Sequence, residues 1–372
     1  MSDKTDVSNQ RLRILEVCTV PTEKSGIPNV IFNLMHGIDK DRFQIGYVAI
    51  NQPSELYRSQ LDEMGARLYV IPRKLSSPWC YVARLARVAR GYDIIHVHGN
   101  SATMVLEMIA ARLAGVRIRA AHSHSTSCRM KKIDTCARPL FHALCNRRIA
   151  CGEEAGKWLY GNRSFELIRN GVDTEKFRFN PETRKIMRSQ LAPHDETLLG
   201  HVGNFLDVKN HRFLLDVFRE VLNNNKQFRL VLLGEGELME DMKAYASDLG
   251  IADKVVFAGS VDAPADYLSA IDLIVMPSKY EGFPLTLVEE QSNGLTAVVS
   301  DVVTKDVNLT GNVCFLPLEA GAKVWADEIL MISDGIKRNS SMSEEAIQKI
   351  GRAGYDVRST GNELSGILTT SG

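Results

Sequence analysis

Two glutamates, Glu281 and Glu289, stand on either side of the run Gly282-Phe283-Pro284-Leu285-Thr286-Leu287-Val288. The apolar segment 273–277 before them reads as a buried strand. Pro284 suits the first turn of a helix, where a missing N–H costs nothing. The start of that helix presents free backbone N–H groups and the positive end of its dipole, which together favour an anion. Glu289 falls about five residues into the helix, roughly 7.5 Å along the axis at 1.5 Å per residue. A diphosphate at the helix start would have one carboxylate on each side, each able to accept hydrogen bonds from a pair of hydroxyls. The same residues also suit an ordinary helix with an acidic first turn.

The elements that must position these groups alternate along the chain. Segments 13–19, 43–50, 66–71, 93–98 and 117–122 read as strands, and 29–37, 54–64, 77–90 and 102–113 as helices. The helix at 77–90 carries Arg84, Arg87 and Arg90 on one face. The pattern breaks near 177–195, which holds Pro181 and Pro193, and restarts with strands at 198–202, 229–233, 255–257, 274–276 and 297–300. Helices at 212–223, 237–249, 265–270 and 284–292 separate them. Strands alternating with helices predict an α/β protein of parallel βαβ units. The spacing predicts two Rossmann-like domains, 1–185 and 186–350, with a hinge near 178–196. Ligands bind outside the carboxyl ends of such strands, which selects segments 21–28, 96–100, 122–125, 203–211 and 278–289.

The 372 residues suit two domains, and 44% hydrophobic with 24% charged residues excludes a disordered chain, a collagen and a disulfide miniprotein. No apolar run approaches the roughly 18 residues of a membrane span. Residues 1–10 are polar and lack an apolar signal core, so the expected location is cytoplasmic. The seven cysteines include no Cys-x-x-Cys pair, as expected of reduced thiols. Four of them fall between 128 and 151, near His124 and His142, at spacings that match no zinc pattern. A net charge of zero hides an asymmetry: residues 1–190 carry 30 Lys/Arg against 18 Asp/Glu. The span from Arg117 to Arg148 has eight basic residues and one acid, Asp134. This points to an anionic partner such as the inner face of a membrane, or to attraction between two domains of opposite charge. No nucleic-acid motif accompanies it.

Taken together, several motifs make a family visible. The Glu-x7-Glu after an apolar strand, Tyr92-Asp93-Ile94-Ile95-His96-Val97-His98-Gly99, and Ile168-Arg169-Asn170-Gly171-Val172-Asp173 with Phe177 beyond resemble the retaining glycosyltransferases of family 4. So do His201-Val202-Gly203-Asn204-Phe205, Lys209-Asn210-His211, Leu233-Gly234-Glu235-Gly236 and Phe257-Ala258-Gly259. Ala121-His122-Ser123-His124-Ser125 and Glu289-Glu290-Gln291-Ser292-Asn293-Gly294-Leu295, followed by Ser300-Asp301, are similar to the branch that builds capsular and exopolysaccharides. The resemblance covers nearly the whole chain. It implies the GT-B fold, with two Rossmann-like parallel sheets facing across a cleft. It also implies transfer of a hexose from a nucleotide sugar, UDP-linked, to a saccharide or lipid-linked saccharide.

Carried over by position, the resemblance makes Glu281 a ligand of donor-sugar hydroxyls, aided by the amides of Gly282 and Phe283 beside Pro284 and Leu285. Glu289 would hold the ribose. Lys209 would neutralise the diphosphate, where charge develops in the transition state. The segment at Val261 would line the base, and Gly26 would let a loop approach the phosphates. His122 would stand beside the reacting sugar, with His124 as the alternative. Two departures stand out: Asn204 occupies a position often held by Arg, and Ser25 stands where a second glycine is common. No Asp-x-Asp is evident at a strand end, which fits a reaction needing neither metal nor cofactor. In this architecture the last helix commonly crosses back to the first domain, so 351–372 is expected to do so through a helix at 353–368, with 369–372 disordered.

Other readings remain open. A dinucleotide oxidoreductase predicts Gly-x-Gly-x-x-Gly after the first strand, and only Gly26 is there. A sugar-nucleotide epimerase would act without an acceptor. An inert binding protein has Asn204 in its favour, and Glu281, Lys209 and Glu289 against it.

Overall fold

The computed structural model describes residues 11–22, 26–72, 77–128 and 130–370. The polar segment 1–10, Ser25 and residues 371–372 lie outside them. The chain divides into two units, 1–171 with 357–372, and 172–356.

Unit 1 opens with β1 (Leu12–Cys18), α1 (Gly26–Gly37), β2 (Phe43–Ala49), α2 (Glu55–Glu63), β3 (Arg67–Val70), α3 (Pro78–Ala89) and β4 (Ile94–Gly99). It continues with α4 (Val105–Ala114), β5 (Ile118–Ser123), α5 (Lys131–Leu144), β6 (Arg147–Ala150), α6 (Glu153–Tyr160) and β7 (Glu166–Leu167). Its sheet runs β3-β2-β1-β4-β5-β6-β7, and every pairing is parallel. The central strands are apolar on both faces because helices cover both, except where Glu16, His96, His98 and His122 interrupt them.

Unit 2 contains α7 (Pro181–Leu191), β8 (Thr197–Val202), α8 (His211–Asn224), β9 (Phe228–Leu233), α9 (Met239–Asp248), β10 (Val255–Gly259) and α10 (Pro264–Ala270). β11 (Leu273–Met276), α11 (Leu285–Ser292), β12 (Thr296–Ser300), β13 (Val313–Leu316), α12 (Gly321–Ser333) and α13 (Ser340–Arg352) follow. The sheet order is β10-β9-β8-β11-β12-β13, again all parallel. The last helix, α14 (Val357–Thr369), returns to unit 1.

Both sheets place their second-formed strand on one side of the first and reverse direction of growth afterwards. The order therefore switches between β1 and β4, and between β8 and β11. Loops diverge at such switch points and leave a crevice at the strand ends. The candidate residues fall there.

The boundary expected at 185/186 is displaced to 171/172. Pro181 does not end a pattern; it starts α7 at the first helical position, and the Asn180 side chain accepts from the N–H groups of Glu182 and Thr183. Arg184 and Arg188 on α7 then bind the carboxylate of Asp272, at 2.5 and 2.7 Å, just before β11. Phe177 and Leu191 join the unit 2 core. The other boundary also shifts, from 350/351 to 356/357. α13 ends in a turn at Gly354, whose φ of +78° favours glycine. α14 runs to Thr369, so that residue belongs to a helix rather than a disordered tail.

α14 and α1 approach through glycines. A Cβ on Gly361 would overlap the backbone of Gly37, and one on Gly37 would overlap Val357. A Cβ on Gly366 of the same helix would meet no described atom within 4 Å. Gly361→Ala should therefore destabilise unit 1 by about 1–3 kcal/mol, as overpacking does, read as a lower urea midpoint. Gly366→Ala should be neutral or slightly stabilising, since alanine is the better helix former by up to about 1 kcal/mol. Equal midpoints for the two variants would contradict this packing.

Candidate functional site

Strands β8 and β11 are distant in sequence and adjacent in the sheet. The Asp272 carboxylate accepts from Leu198 N at 2.8 Å, and Asp272 N donates to Leu198 O at 2.8 Å. Beyond the other ends of these strands the loops are stitched together. Lys279 N donates to Val208 O at 2.8 Å, and Asn210 Nδ2 to Pro277 O at 3.1 Å. Asn210 itself adopts a left-handed conformation (φ +58°) that ends the short turn Asp207–Lys209.

That stitching brings Lys209 to Glu281. Lys209 Nζ lies 2.6 Å from Glu281 Oε1, and Ser278 Oγ donates to the same oxygen at 2.9 Å. Both charged side chains are largely buried, at 18% and 14% exposure. Gly282 is exposed, and Phe283 stacks on Tyr355 with ring centroids 4.7 Å apart and an interplanar angle of 4°. Pro284 caps α11 rather than opening it, so the helix begins one residue later, at Leu285.

Glu289 is half-buried on α11, and burial pushes its carboxyl up to about 7. Its neighbour Glu290 is wholly buried, and neither of its oxygens has a hydrogen-bond partner among the described residues. Burial holds its carboxyl well above the usual carboxylate range, and the charge of Glu289 raises it further. The Glu290 carboxyl therefore resists ionisation.

Two histidines back the lysine. His201 Nδ1 donates to Val275 O at 2.9 Å, and its Nε2 has no partner among the described residues. His211 stacks on Phe205 at 4.0 Å between centroids. Burial pulls His201 well below the usual imidazole range and His211 down to about 4, so both are neutral at pH 7.

The remaining expected residues of unit 2 are close in the fold. Asn204 is exposed, and Val261, just past β10, is half-buried. Gly234 at the end of β9 takes φ +138°, and a Cβ there would overlap Gly203 O. That glycine lets the loops after β8 and β9 touch, and Gly234 N in turn donates to Gly259 O at 2.8 Å at the end of β10.

The expected residues of unit 1 gather at its own switch point. Gly26 is exposed at the first position of α1, and a Cβ added there would meet no described atom within 4 Å. His122 lies one residue before the end of β5 rather than at it, is wholly buried, and has neither ring nitrogen bonded among the described residues. His124 is half-buried and bonds His98 across 2.9 Å. Of the two, His124 is the less buried, although its Nδ1 is also enclosed without a partner among the described residues. The reason is pleat and depth: His98 pairs with His122 inside the sheet, and His124 lies past the last strand pairing.

Sequence reasoning passes over Ser278, His201, Glu290 and Glu16. Glu16 carries a signal, a charge in the middle of the apolar run Ile14-Leu15-Glu16-Val17. Glu290 carries another, since a second acid beside Glu289 falls on the buried side of α11.

The comparisons with known proteins agree with this architecture. Residues 24–176 match the family described as Glycosyltransferase Family 4, and 182–348 match that described as Glycosyl transferases group 1. Together these take in most of both units, and the chain belongs to the glycosyltransferases of family 4. It is 29% identical to EpsF of Bacillus subtilis, a chain named as a glycosyltransferase, over 98% of each. It is 32% identical, over 61% of each chain, to the Escherichia coli UDP-Gal:alpha-D-GlcNAc-diphosphoundecaprenol alpha-1,3-galactosyltransferase. The crystal structure of Anabaena HepE in complex with UDP and glucose superposes with a TM-score of 0.77 at 18% identity, covering 97% of this chain and 100% of that one. The fold is therefore GT-B, and the protein is a glycosyltransferase.

The buried acids of α11 set a pH dependence. In the unfolded chain both ionise near the usual value of about 4.3. In the folded chain burial raises both carboxyls, Glu289 to about 7 and Glu290 well above the usual carboxylate range. The folded state thus binds more protons above the unfolded value, and stability falls as pH rises. Urea midpoints should decline from about pH 5 to about pH 8, and Glu290→Gln should flatten the decline. An unchanged slope in that variant would mean Glu290 is ionised in the fold.

Proposed function

We propose that the chain transfers a hexose from a UDP-sugar to a saccharide or lipid-linked saccharide in cell-surface polysaccharide synthesis, with retention of anomeric configuration. The observation that carries this reading is the Lys209–Glu281 pair at the start of α11, with Glu289 one helical stretch further on. In the reaction the bond between the anomeric carbon and the diphosphate oxygen breaks. The acceptor hydroxyl oxygen takes its place and loses its proton, and the nucleotide diphosphate leaves with the added negative charge. Lys209 and the amides of Gly282 and Phe283 stabilise that charge. Glu281 receives donor-sugar hydroxyls and holds Lys209 in place. Glu289 receives the ribose hydroxyls, and Val261 borders the base. Asn204, where an arginine is common, borders the phosphates. These groups handle the diphosphate without a metal or cofactor.

UDP as carrier is supported by the HepE complex with UDP and glucose and by the name of the E. coli relative, which also names a diphosphoundecaprenol acceptor. The capsular glycosyltransferase CapH of Staphylococcus aureus, 22% identical over 83% of this chain and 85% of that one, supports a polysaccharide product. On the acceptor side His124 takes the role expected of His122, because it lies past the last strand pairing and is only half-buried. A lipid-linked acceptor places the protein at the inner face of the membrane. Among the described residues no helix is long and apolar enough to cross one. Contact would be peripheral, through the basic surface of unit 1 that includes exposed Arg84, Arg87 and Arg90, at about 1 kcal/mol per basic residue near an anionic surface.

Calorimetry against a panel of nucleotides and UDP-hexoses should show one donor binding in the micromolar range, lost in Glu289→Ala. Lys209→Ala should lower kcat by roughly 10²–10³, the usual cost of removing a group that stabilises transition-state charge. Absence of binding to any nucleotide at millimolar concentration would overturn the proposal.

A further inference from the structure

Unit 1 buries a cluster of titratable groups that the transfer reaction does not use. Glu16 of β1, His96 and His98 of β4 and His122 of β5 are each exposed by 1% or less. The strand register assembles them: Glu16 pairs with His96, Cys18 with His98, and His98 with His122. Alternation along β4 then points His96 and His98 to the same face. Their rings are close, with centroids 4.1 Å apart, and His122 lies 5.4 and 5.3 Å from them.

Hydrogen-bond accounting leaves this cluster incomplete. Glu16 lies 3.0 Å from His96 Nδ1 and 2.8 Å from His98 Nε2. A carboxylate only accepts, so those nitrogens carry the protons and the opposite nitrogens carry lone pairs. His98 Nδ1 then accepts from His124 Nε2 at 2.9 Å. His96 Nε2 and both nitrogens of His122 have no partner among the described residues. Leaving a buried polar atom unpaired is costly, and with the enclosed Nδ1 of His124 four such nitrogens converge here.

The geometry points to a transition-metal site: we infer that His96, His98 and His122 bind a divalent ion of the zinc, cobalt or nickel type, oriented by Glu16. Each histidine offers one ring nitrogen, and the three nitrogens lie within 4.8 Å of one another. Bonds of about 2.1 Å at tetrahedral angles put ligand nitrogens roughly 3.4 Å apart. The rings therefore close by at most about 1.4 Å, within reach of side-chain rotation. Imidazole ligands suit these ions rather than magnesium or calcium. A carboxylate accepting the far N–H of two ligating histidines is the arrangement that fixes tautomer and ring orientation at metal centres. On binding the ion, His98 Nδ1 would exchange its hydrogen bond from His124 Nε2 for the metal. The ion would tie the ends of β4 and β5 to β1. It is separate from the diphosphate chemistry of unit 2 and does not rest on that reading.

The test uses the full chain without a polyhistidine tag, stripped with chelator and dialysed against Zn²⁺ or Co²⁺ alone. The expected result is one ion per chain by mass spectrometry and a higher melting temperature with Zn²⁺. Co²⁺ should give the visible absorption of a nitrogen-ligated, low-coordinate ion. Glu16→Gln should weaken binding by roughly 10–100-fold, as loss of an outer-shell partner does. His96→Gln with His122→Gln should abolish it, and exposed His194→Gln should leave it unchanged. Should the double variant fail to fold, X-ray absorption of the Zn²⁺-loaded native chain decides. Three imidazoles at about 2.0–2.1 Å are expected. Substoichiometric metal without a melting shift, a shell dominated by oxygen, or equal binding by a folded double variant would each overturn the site and leave ordered water as the partner of these nitrogens.

Discussion

The carboxylate of Asp272 holds unit 2 together at the point where its sheet changes direction. It accepts from Leu198 N and from Arg184 and Arg188, and so joins β8, β11 and α7 at one place. A buried carboxylate with two guanidiniums and a backbone amide is well supplied with donors, the condition under which a buried charge is tolerated. The consequence appears at the far ends of the same strands. β8 and β11 share only a short stretch of register, Leu273 with Leu199 and Ile274 with Gly200. Within that short pairing, the position of Asp272 decides where the loops carrying Lys209 and Glu281 emerge. The ion pair at the candidate donor site is in this sense set by a carboxylate at the opposite end of the strands.

Much of the architecture is legible because parallel strands buried on both faces read as apolar runs bounded by glycine and polar residues. β1, β2, β9 and β12 lie within a residue or two of the segments that this signal marks. β6 and β7 escape it, since Arg147-Arg148 and Glu166 place charges in short strands at and next to the edge of the sheet. α5 escapes it too, with Pro139 inside the helix and few buried apolar residues along its length. α7 resembles a break in the sequence because proline ends many helices, whereas Pro181 begins one. The domain boundary shifts for the same reason.

The candidate site is legible in type more than in detail. Glu281, Glu289 and Lys209 are recognisable from spacing and resemblance, and the fold brings Lys209 to Glu281. The choice between His122 and His124 is not, because the two residues share a face and differ only in depth. Depth depends on where strand pairing stops, and no pattern of residue types marks that point. Glu290 illustrates the same limit. Its neighbour is half-buried and its own carboxyl is enclosed, a difference that comes from one step of about 100° around a helix.

The two glycines where α1 and α14 meet have a consequence for biosynthesis. Unit 1 is discontinuous: its first segment ends at Gly171, and α14 arrives only after all of Val172–Asp356. On the ribosome, where domains fold in order of emergence, β1 to β7 are made first but wait for their last helix. Unit 2 is complete before α14 leaves the exit tunnel. In the interval α1 exposes the glycine face that α14 will cover, so the earliest-made unit is the last to finish, and that face is open to a chaperone or a protease until then.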